Sequence, residues 1–389
     1  MLTPDQIAII KATAPVVAQH AERITSVFYP LMFERYPEVR EVFNQAHQHG
    51  GSQPRALANA VVAYASNIDN LGALGAAVER IVQKHVSLNI TPPQYQIVGE
   101  CLLEAIGRVL GDAVTPEIGA AWTAAYWQLA NLLIAAEEKE YRRKAELTGG
   151  WRGTRRLRVV RRAFESEVIT SFWLAPVDNG PLMDFTPGQY LGLRLDIDGA
   201  TVQRNYSLSD APNGKTYRIS VKREPGGLVS NYLHDRVQEG FEVDAFAPAG
   251  EFTLAQNSKP VVLLTAGVGQ TPALPMLDRA LAEGRQVIYL HAALNSAVHA
   301  FRKRVDSLAT EHPNLRHVYI YSEPLPGDEP HYRGFVTPEI LQRYAPADAD
   351  IYFLGPKPFM VHVNRMLRDL RVAAERIRFE FFGPMEALD

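Results

Sequence analysis

The sequence predicts a multidomain chain of three fold classes in series: an all-α bundle, a small antiparallel β-barrel, and an α/β doubly wound parallel sheet. Three observations predict it. Up to about residue 143, apolar residues recur at helical spacing. From Thr148-Gly149-Gly150-Trp151 to about Leu254 the pattern becomes short and alternating, with Gly and Pro between segments. From Val261 onward, buried-looking strands alternate with helical stretches. The expected segments are 1–145, 150–256 and 259–389.

In the first segment Thr3-Pro4-Asp5 reads as a helix start: a hydroxyl cap, a proline in the first turn and an acid at the positive end of the dipole. Thr91-Pro92-Pro93 and Thr115-Pro116-Glu117 start two more helices, the second running to Tyr141-Arg142-Arg143-Lys144. In the second, Arg156–Val160 and Tyr190–Leu195 alternate as half-buried strands do. In the third, strands are expected at 261–265, 286–292, 316–321, 350–354 and 376–382.

A chain of 389 residues exceeds one ordinary core. Its 47% hydrophobic and 21% charged residues are those of a globular protein, and a net charge of −3 gives no reason to expect nucleic acid or an anionic membrane. Cys101 is the one cysteine, which excludes an internal disulfide and any cysteine-built zinc or iron–sulfur site. No apolar run approaches the ~20 residues needed to cross a bilayer. The amino terminus lacks a signal-peptide pattern. A cytoplasmic location is therefore expected.

Two nucleotide signals stand out. Arg204-Asn205-Tyr206-Ser207, read as the start of a barrel strand, offers a guanidinium for a pyrophosphate, a ring to cover a flavin face and a hydroxyl for a ring nitrogen. Pro187-Gly188-Gln189-Tyr190 adds a second tyrosine. Gly226-Gly227 precedes a helix with Val229, Ser230 and Tyr232, whose first amides suit phosphate. Taken singly, each piece also fits a polar strand and a glycine turn. Farther on, Gly267-Val268-Gly269-Gln270-Thr271-Pro272 follows a strand and opens a helix, which suits a second nucleotide although Pro272 stands where a third fingerprint glycine would be. Leu354-Gly355-Pro356 repeats the device where a nicotinamide can lie. Glu380-Phe381-Phe382-Gly383-Pro384 ends the last strand with rings able to shield a flavin, or simply to pack. Arg302, Lys303 and Arg304 can meet a ribose phosphate or form a solvated helix face, the latter being expected. This half resembles the ferredoxin–NADP reductase-like family, which binds FAD on a barrel and NAD(P)H on the following sheet.

His85 follows Leu74, Val78 and Ile81 on one helical stripe. A buried imidazole there can ligate heme iron, or be a satisfied core histidine. Phe43 follows a short helix, where globins wedge the heme. Gln53 and Leu57 share a face of the next helix, and Tyr29 lies on an apolar face with Phe28, Met32 and Phe33. His47 and His49 fall in a polar loop.

With these residues in place, the whole chain resembles the flavohemoglobins, a globin joined to an FAD/NAD(P)H reductase. The resemblance rests on Tyr29, Phe43, Gln53, Leu57, Lys84-His85 and Tyr95, then on the reductase motifs in order. It implies heme b, FAD and NADH or NADPH as cofactors. It implies that Tyr95 and Glu137 hold His85 from behind, although Glu138 and Glu140 are adjacent and Glu137 can also be read as a surface acid. It makes Tyr29, with Gln53 beside it, the donor to bound dioxygen, and puts Lys84 and Glu380 between the redox groups. The implied activity is nitric oxide dioxygenase, in a monomer acting on dioxygen and nitric oxide. Two other readings stay open: a dioxygen sensor or store whose reductase repairs the heme, and a flavin-based peroxide or quinone reductase. The chain departs from many members at Leu354 and Phe381, where they carry Cys. Pro30, directly after Tyr29, predicts a kink there.

Overall fold

The computed structural model describes residues 2–42 and 60–382. The chain clusters into two compact units, one built on Met1–Glu146 and the other on Leu147–Leu193 with Arg204–Phe382.

The first unit is helical. Helix α1 (Pro4–Gln19) starts at a capping box: Gln6 N donates to Thr3 Oγ1 at 3.2 Å, and Thr3 N donates to Gln6 Oε1 at 2.9 Å. Helix α2 (Ala21–Arg35) runs on through Pro30, so the chain stays helical on both sides of the proline that follows Tyr29. Burial explains the tolerance. Ile24, Phe28, Tyr29, Leu31 and Met32 are all buried along α2, which outweighs the roughly 3 kcal/mol that an internal proline costs. A 3₁₀ turn (Pro37–Val42) follows, and residues 60–66 are helical.

Helix α3 (Gly75–Val86) carries His85. Helix α4 (Pro92–Leu110) begins at a second capping box, Thr91 with Gln94, and α5 (Pro116–Glu146) extends two residues past its expected end. One core holds α1, α2, α4 and the first half of α5 around Phe28, Met32, Cys101 and Ala125. A second holds Val82, Val86, Tyr95, Leu133 and Tyr141 where α3 meets α5. Gly99 permits the close approach of α4 to α5, since any Cβ there would collide with the Tyr126 ring.

The chain beyond Glu146 forms two six-stranded sheets. The first comprises β1 (Thr154–Phe164), β2 (Ile169–Pro176), β3 (Tyr190–Ile197), β4 (Ala200–Ser207), β5 (Tyr217–Lys222) and β6 (Glu242–Phe246), in the order β4-β3-β6-β1-β2-β5. Strand β1 pairs with β2 and β6, and β2 with β5, all antiparallel, and a bridge from Leu208 to Ile219 brings the end of β4 to β5, curling the sheet on itself. Helix α6 (Leu228–Arg236) lies between β5 and β6 in sequence.

The second sheet is parallel, in the order β10-β9-β8-β7-β11-β12, from β7 (Val261–Ala266), β8 (Val287–Ala293), β9 (Leu315–Tyr321), β10 (Tyr332–Arg333), β11 (Asp350–Leu354) and β12 (Ile377–Phe379). Helices α7 (Ala273–Ala282), α8 (Arg302–Glu311), α9 (Pro338–Tyr344) and α10 (Lys357–Asp369) intervene. Strand β7 is buried along its length. Its Val261 and Leu263 face a core with α7, and its Val262 and Leu264 face another with α9 and α10. The two-residue β10 was too short to leave a sequence signal. The last strand is three residues rather than the expected seven, because it pairs only at Ile377, Arg378 and Phe379.

Candidate functional site

His85 sits in the last turn of α3, with Lys84 exposed beside it. Its Nδ1 is 2.8 Å from Glu137 Oε1 on α5 and 2.8 Å from Tyr95 Oη on α4. Tyr95 donates its own hydroxyl proton to the same Glu137 oxygen at 2.5 Å. Glu137 is 2% exposed, so this carboxylate is an internal acceptor and not the surface acid of the other reading. Its neighbours differ: Glu138 pairs with Arg142, and Glu140 with Arg143. Burial first, and the Glu137 charge next, push the Tyr95 phenol well above its ordinary range, which keeps it a donor. The carboxylate therefore accepts from Nδ1–H, and Nε2 keeps the lone pair.

Two further bonds fix this corner. Tyr141, one turn after Glu137, donates to the Ile90 carbonyl at 2.8 Å, and Tyr126 donates to the Tyr95 carbonyl. The His85 side chain is 31% exposed, and its anchoring hydrogen bonds are at the Nδ1 edge. Among the described residues no cluster of three His, Cys, Asp or Glu can hold a bare metal ion. A single oriented imidazole instead fits a metal that arrives with its own equatorial ligands, as in a porphyrin.

Tyr29 is 6% exposed on α2, with its ring 4.7 Å from Phe28 and 5.9 Å from Phe33, on the apolar face expected for it. Phe43, Gln53 and Leu57 lie outside the described residues.

The Arg204-Asn205-Tyr206-Ser207 motif occupies the end of β4, not its start, because the pairing begins at Ala200. Arg204, Asn205 and Tyr206 are half-buried and Ser207 is buried. Burial holds the Arg204 guanidinium below its usual range and lifts the Tyr206 phenol. Tyr190 opens β3, buried, with its amide bonded to the Ala249 carbonyl at 2.9 Å.

Gly226 has φ 71°, open to glycine, and Gly227 is the N-cap of α6 with extended backbone. A Cβ on Gly227 would lie 2.6 Å from Ser230 Oγ, which itself accepts from Glu224 N at 3.1 Å. Val229 is buried under this turn. A residue missed in the sequence, Asn231, ties the loop down by donating to the Gly227 carbonyl at 2.6 Å and to the Glu224 carbonyl at 3.0 Å. A half-buried guanidinium, an aromatic face and a glycine-bounded helix start are the donor set of a flavin dinucleotide.

The Gly267-Val268-Gly269-Gln270 turn leaves β7 as a 3₁₀ segment, Thr271 Oγ1 donates back to the Val268 carbonyl at 3.0 Å, and Pro272 is the N-cap of α7. Gly267 has φ 53°. A Cβ on Gly269 would lie 2.8 Å from Gly355 N, so the ends of β7 and β11 are in backbone contact. Chain order reverses between these two strands, which is where open α/β sheets bind ligands.

Beneath the turn lies a buried polar network that the sequence did not reveal. Thr265 Oγ1 is 2.8 Å from His291 Nδ1, Tyr289 donates to Gln270 Oε1 at 3.0 Å, and Gln270 donates to the Gly267 carbonyl at 3.2 Å. Leu354, one of the two departures from cysteine, packs its side chain into the core with Leu263. Phe381, the other, leans on Phe379 with ring centroids 5.9 Å apart, while Phe382 is half-exposed. Glu380 directly follows β12; Gly383 and Pro384 lie outside the described residues. Arg304 is not part of a simple solvated face: it binds Asp278 at 2.6 Å.

Residues 26–133 match the globin family, 157–254 the oxidoreductase FAD-binding domain and 263–365 the oxidoreductase NAD-binding domain. The chain is 55% identical to the flavohemoprotein of Pseudomonas aeruginosa and 54% to that of Pseudomonas putida, covering all of both sequences in each comparison. Its fold is similar to the flavohemoglobin of Malassezia yamatoensis with bound FAD and heme (TM-score 0.88, 28% identity, 98% of this chain and 100% of that one). It is also similar to the FAD/NAD-binding domain of nitric oxide dioxygenase from Vibrio cholerae (TM-score 0.56, 36% identity, 60% of this chain and 100% of that one).

Proposed function

Because the chain belongs to the flavohemoprotein family, we propose that this oxidoreductase is an NAD(P)H-driven nitric oxide dioxygenase that detoxifies nitric oxide. Bound heme and FAD supply the chemistry: hydride acceptance from the nicotinamide, single-electron delivery to iron, and the joining of dioxygen to nitric oxide as nitrate. The chain's own residues bind, orient and hold protons. His85 presents Nε2 to the iron. Glu137 would accept from Nδ1–H, which makes the imidazole a stronger electron donor, while Tyr95 shares the same carboxylate oxygen. Tyr29, with Gln53 assisting, would supply the hydroxyl that steadies the bound gas, and Phe43 and Leu57 would help hold the porphyrin.

Arg204 and the Gly226–Gly227 helix start take the FAD pyrophosphate. Tyr206 would cover the flavin and Ser207 would bond to its ring. The Gly267–Pro272 turn receives the nicotinamide nucleotide, with Glu380, Phe381 and Phe382 closing the flavin from the other strand end. The three cofactors are assigned to segments 1–145, 150–256 and 259–389 in turn. The reading takes the protein as a cytoplasmic monomer; among the described residues no helix is long and apolar enough to cross a membrane.

The observation that carries the proposal is the convergence of His85 Nδ1 and the Tyr95 hydroxyl on one buried Glu137 oxygen, in a chain that also holds flavin and nicotinamide modules. The test is product analysis. Purified protein given NADH, dioxygen and nitric oxide forms one nitrate per nitric oxide over many turnovers per heme. A single turnover per heme refutes the enzyme in favour of a dioxygen store. Activity undiminished in His85→Ala refutes any role for the heme.

A further inference from the structure

We propose that Asp210 is the pivot through which the flavin-bearing strand sets the nicotinamide turn, making Asp210, Arg218 and Arg304 positioning residues for hydride delivery. The inference rests on the reading that NADH reduces a flavin held by this chain.

Asp210 lies three residues beyond Ser207, on the chain that continues β4. That continuation is fixed to β5, because the Ser209 amide donates to the Arg218 carbonyl at 2.8 Å. Arg218, 5% exposed, donates back through Nε to Ser209 Oγ at 3.1 Å and through its terminal nitrogen to the Ser209 carbonyl. Its terminal nitrogen also lies 3.7 Å from Asp210 Oδ1. The same carboxylate oxygen lies 3.6 Å from Arg304 on α8, and Arg304 binds Asp278 at 2.6 Å. Asp278 belongs to α7, the helix that opens directly after the Gly267–Gln270 turn. Positive and negative groups thus alternate without a gap: Arg218, Asp210, Arg304, Asp278. The row leads from the flavin motif strand to the helix carrying the nicotinamide turn.

A second observation points the same way. The Arg218 guanidinium lies between two rings, 5.5 Å from Trp173 of the first sheet and 5.2 Å from Phe301 at the start of α8. Phe301 holds φ 61°, a left-handed conformation that an aromatic residue rarely adopts and that costs energy to maintain. The strain sits where the ring meets the cation.

One carboxylate oxygen serving two guanidiniums is a sensitive joint. Removing its charge weakens its hold on both guanidiniums and loosens the joint. Hydride transfer depends on reacting atoms held about 3–3.5 Å apart, and a misplacement near 1 Å costs about a hundredfold. A partial opening at Asp210 is therefore read as a slower flavin reduction at saturating NADH, with KM moved less than kcat.

The experiment follows flavin bleaching by stopped flow in the full-length protein loaded with heme and FAD. Wild-type protein that NADH and NADPH both fail to reduce overturns the underlying reading. With the wild type reducible, Asp210→Asn is expected to lower the limiting rate about tenfold, a smaller share of that positional penalty. FAD content and light-driven flavin reduction should stay at wild-type levels. Asp210→Glu keeps the charge and should hold most of the wild-type rate. An Asp210→Asn rate equal to wild type overturns the proposal. So does a loss shared by light-driven reduction or FAD content, since that makes the residue a part of the flavin cradle. Should Asp210→Asn fail to fold, Arg304→Met alone, at a side chain 32% exposed, must slow NADH-driven reduction at unchanged FAD content or the proposal falls.

Discussion

Replacing Glu137 by Gln removes one charge from behind the candidate iron ligand and changes almost nothing in shape. The amide oxygen can still accept from His85 Nδ1, now 2.8 Å from the carboxylate, and from the Tyr95 hydroxyl. What is lost is charge assistance. A hydrogen bond to a charged group contributes about 1.5–3 kcal/mol against about 0.5–1.5 for a neutral one, a difference of roughly 1–1.5 kcal/mol. Glu137 is almost fully buried, so solvent screens little of it. For a one-electron couple about 59 mV corresponds to ~1.4 kcal/mol, so the midpoint potential of the heme should rise by roughly 40–60 mV. It rises because a less basic imidazole stabilises oxidised iron less. The assay is a spectroelectrochemical titration of the heme bands in the full-length protein. Tyr95→Phe supplies the internal control. It removes a competing donor from the same oxygen, gives His85 a fuller share of the carboxylate, and should lower the potential. Two shifts of the same sign, or a change within about 10 mV for Glu137→Gln, would refute the reasoning.

Three further outcomes are expected. Tyr29→Phe should speed dioxygen release at least about tenfold, since a bond to a partly charged ligand contributes about 1.5–3 kcal/mol and ~1.4 kcal/mol is a decade; unchanged dissociation in stopped flow removes Tyr29 from the site. Gly269→Ala forces a methyl against the backbone at Leu354–Gly355, so KM for NADH should rise steeply while heme and FAD content hold; an unchanged KM would show that the turn does not meet the nucleotide. His291 and His299 are held neutral by burial, at about 3 and about 2 against an ordinary 6.5. The unfolded chain takes up their protons first, so stability present above pH 6.5 is lost as pH falls toward those values. Each should add a slope of about 1.4 kcal/mol per pH unit, and His299→Phe should shallow the fall seen in urea unfolding between pH 6 and 4. An equal slope in the variant counts against burial as the cause.

Much of the architecture was legible because its signals are local. Thr3-Pro4 and Thr91-Pro92 announce their helices through a cap and a proline, and both open with the capping boxes such sequences favour. The β7 run of Val261–Thr265 announces a strand buried on both faces. Pro30 is held inside α2 because propensity is a local cost, while the burial that overrides it comes from residues on other helices. Arg204 was placed at the wrong end of its strand because residues 200–203 lack clear alternation in burial; only pairing reveals where β4 starts. His85, Tyr95 and Glu137 could be named from a resemblance, but that one carboxylate oxygen receives both protons is a fact of three helices meeting. The row from Arg218 to Asp278 left no trace at all. Its members stand as far as 94 positions apart in sequence, at no shared period.

The double walling of β7 limits what this enzyme can become. A strand pressed between two cores has no free side on which to slide, tilt or change its outline. A switch between nicotinamide coenzymes, in nature or in the laboratory, must therefore leave 261–266 untouched. It must be written in the loops past the neighbouring strand ends, around 294–298 and 322–328, where no residue is buried in either wall.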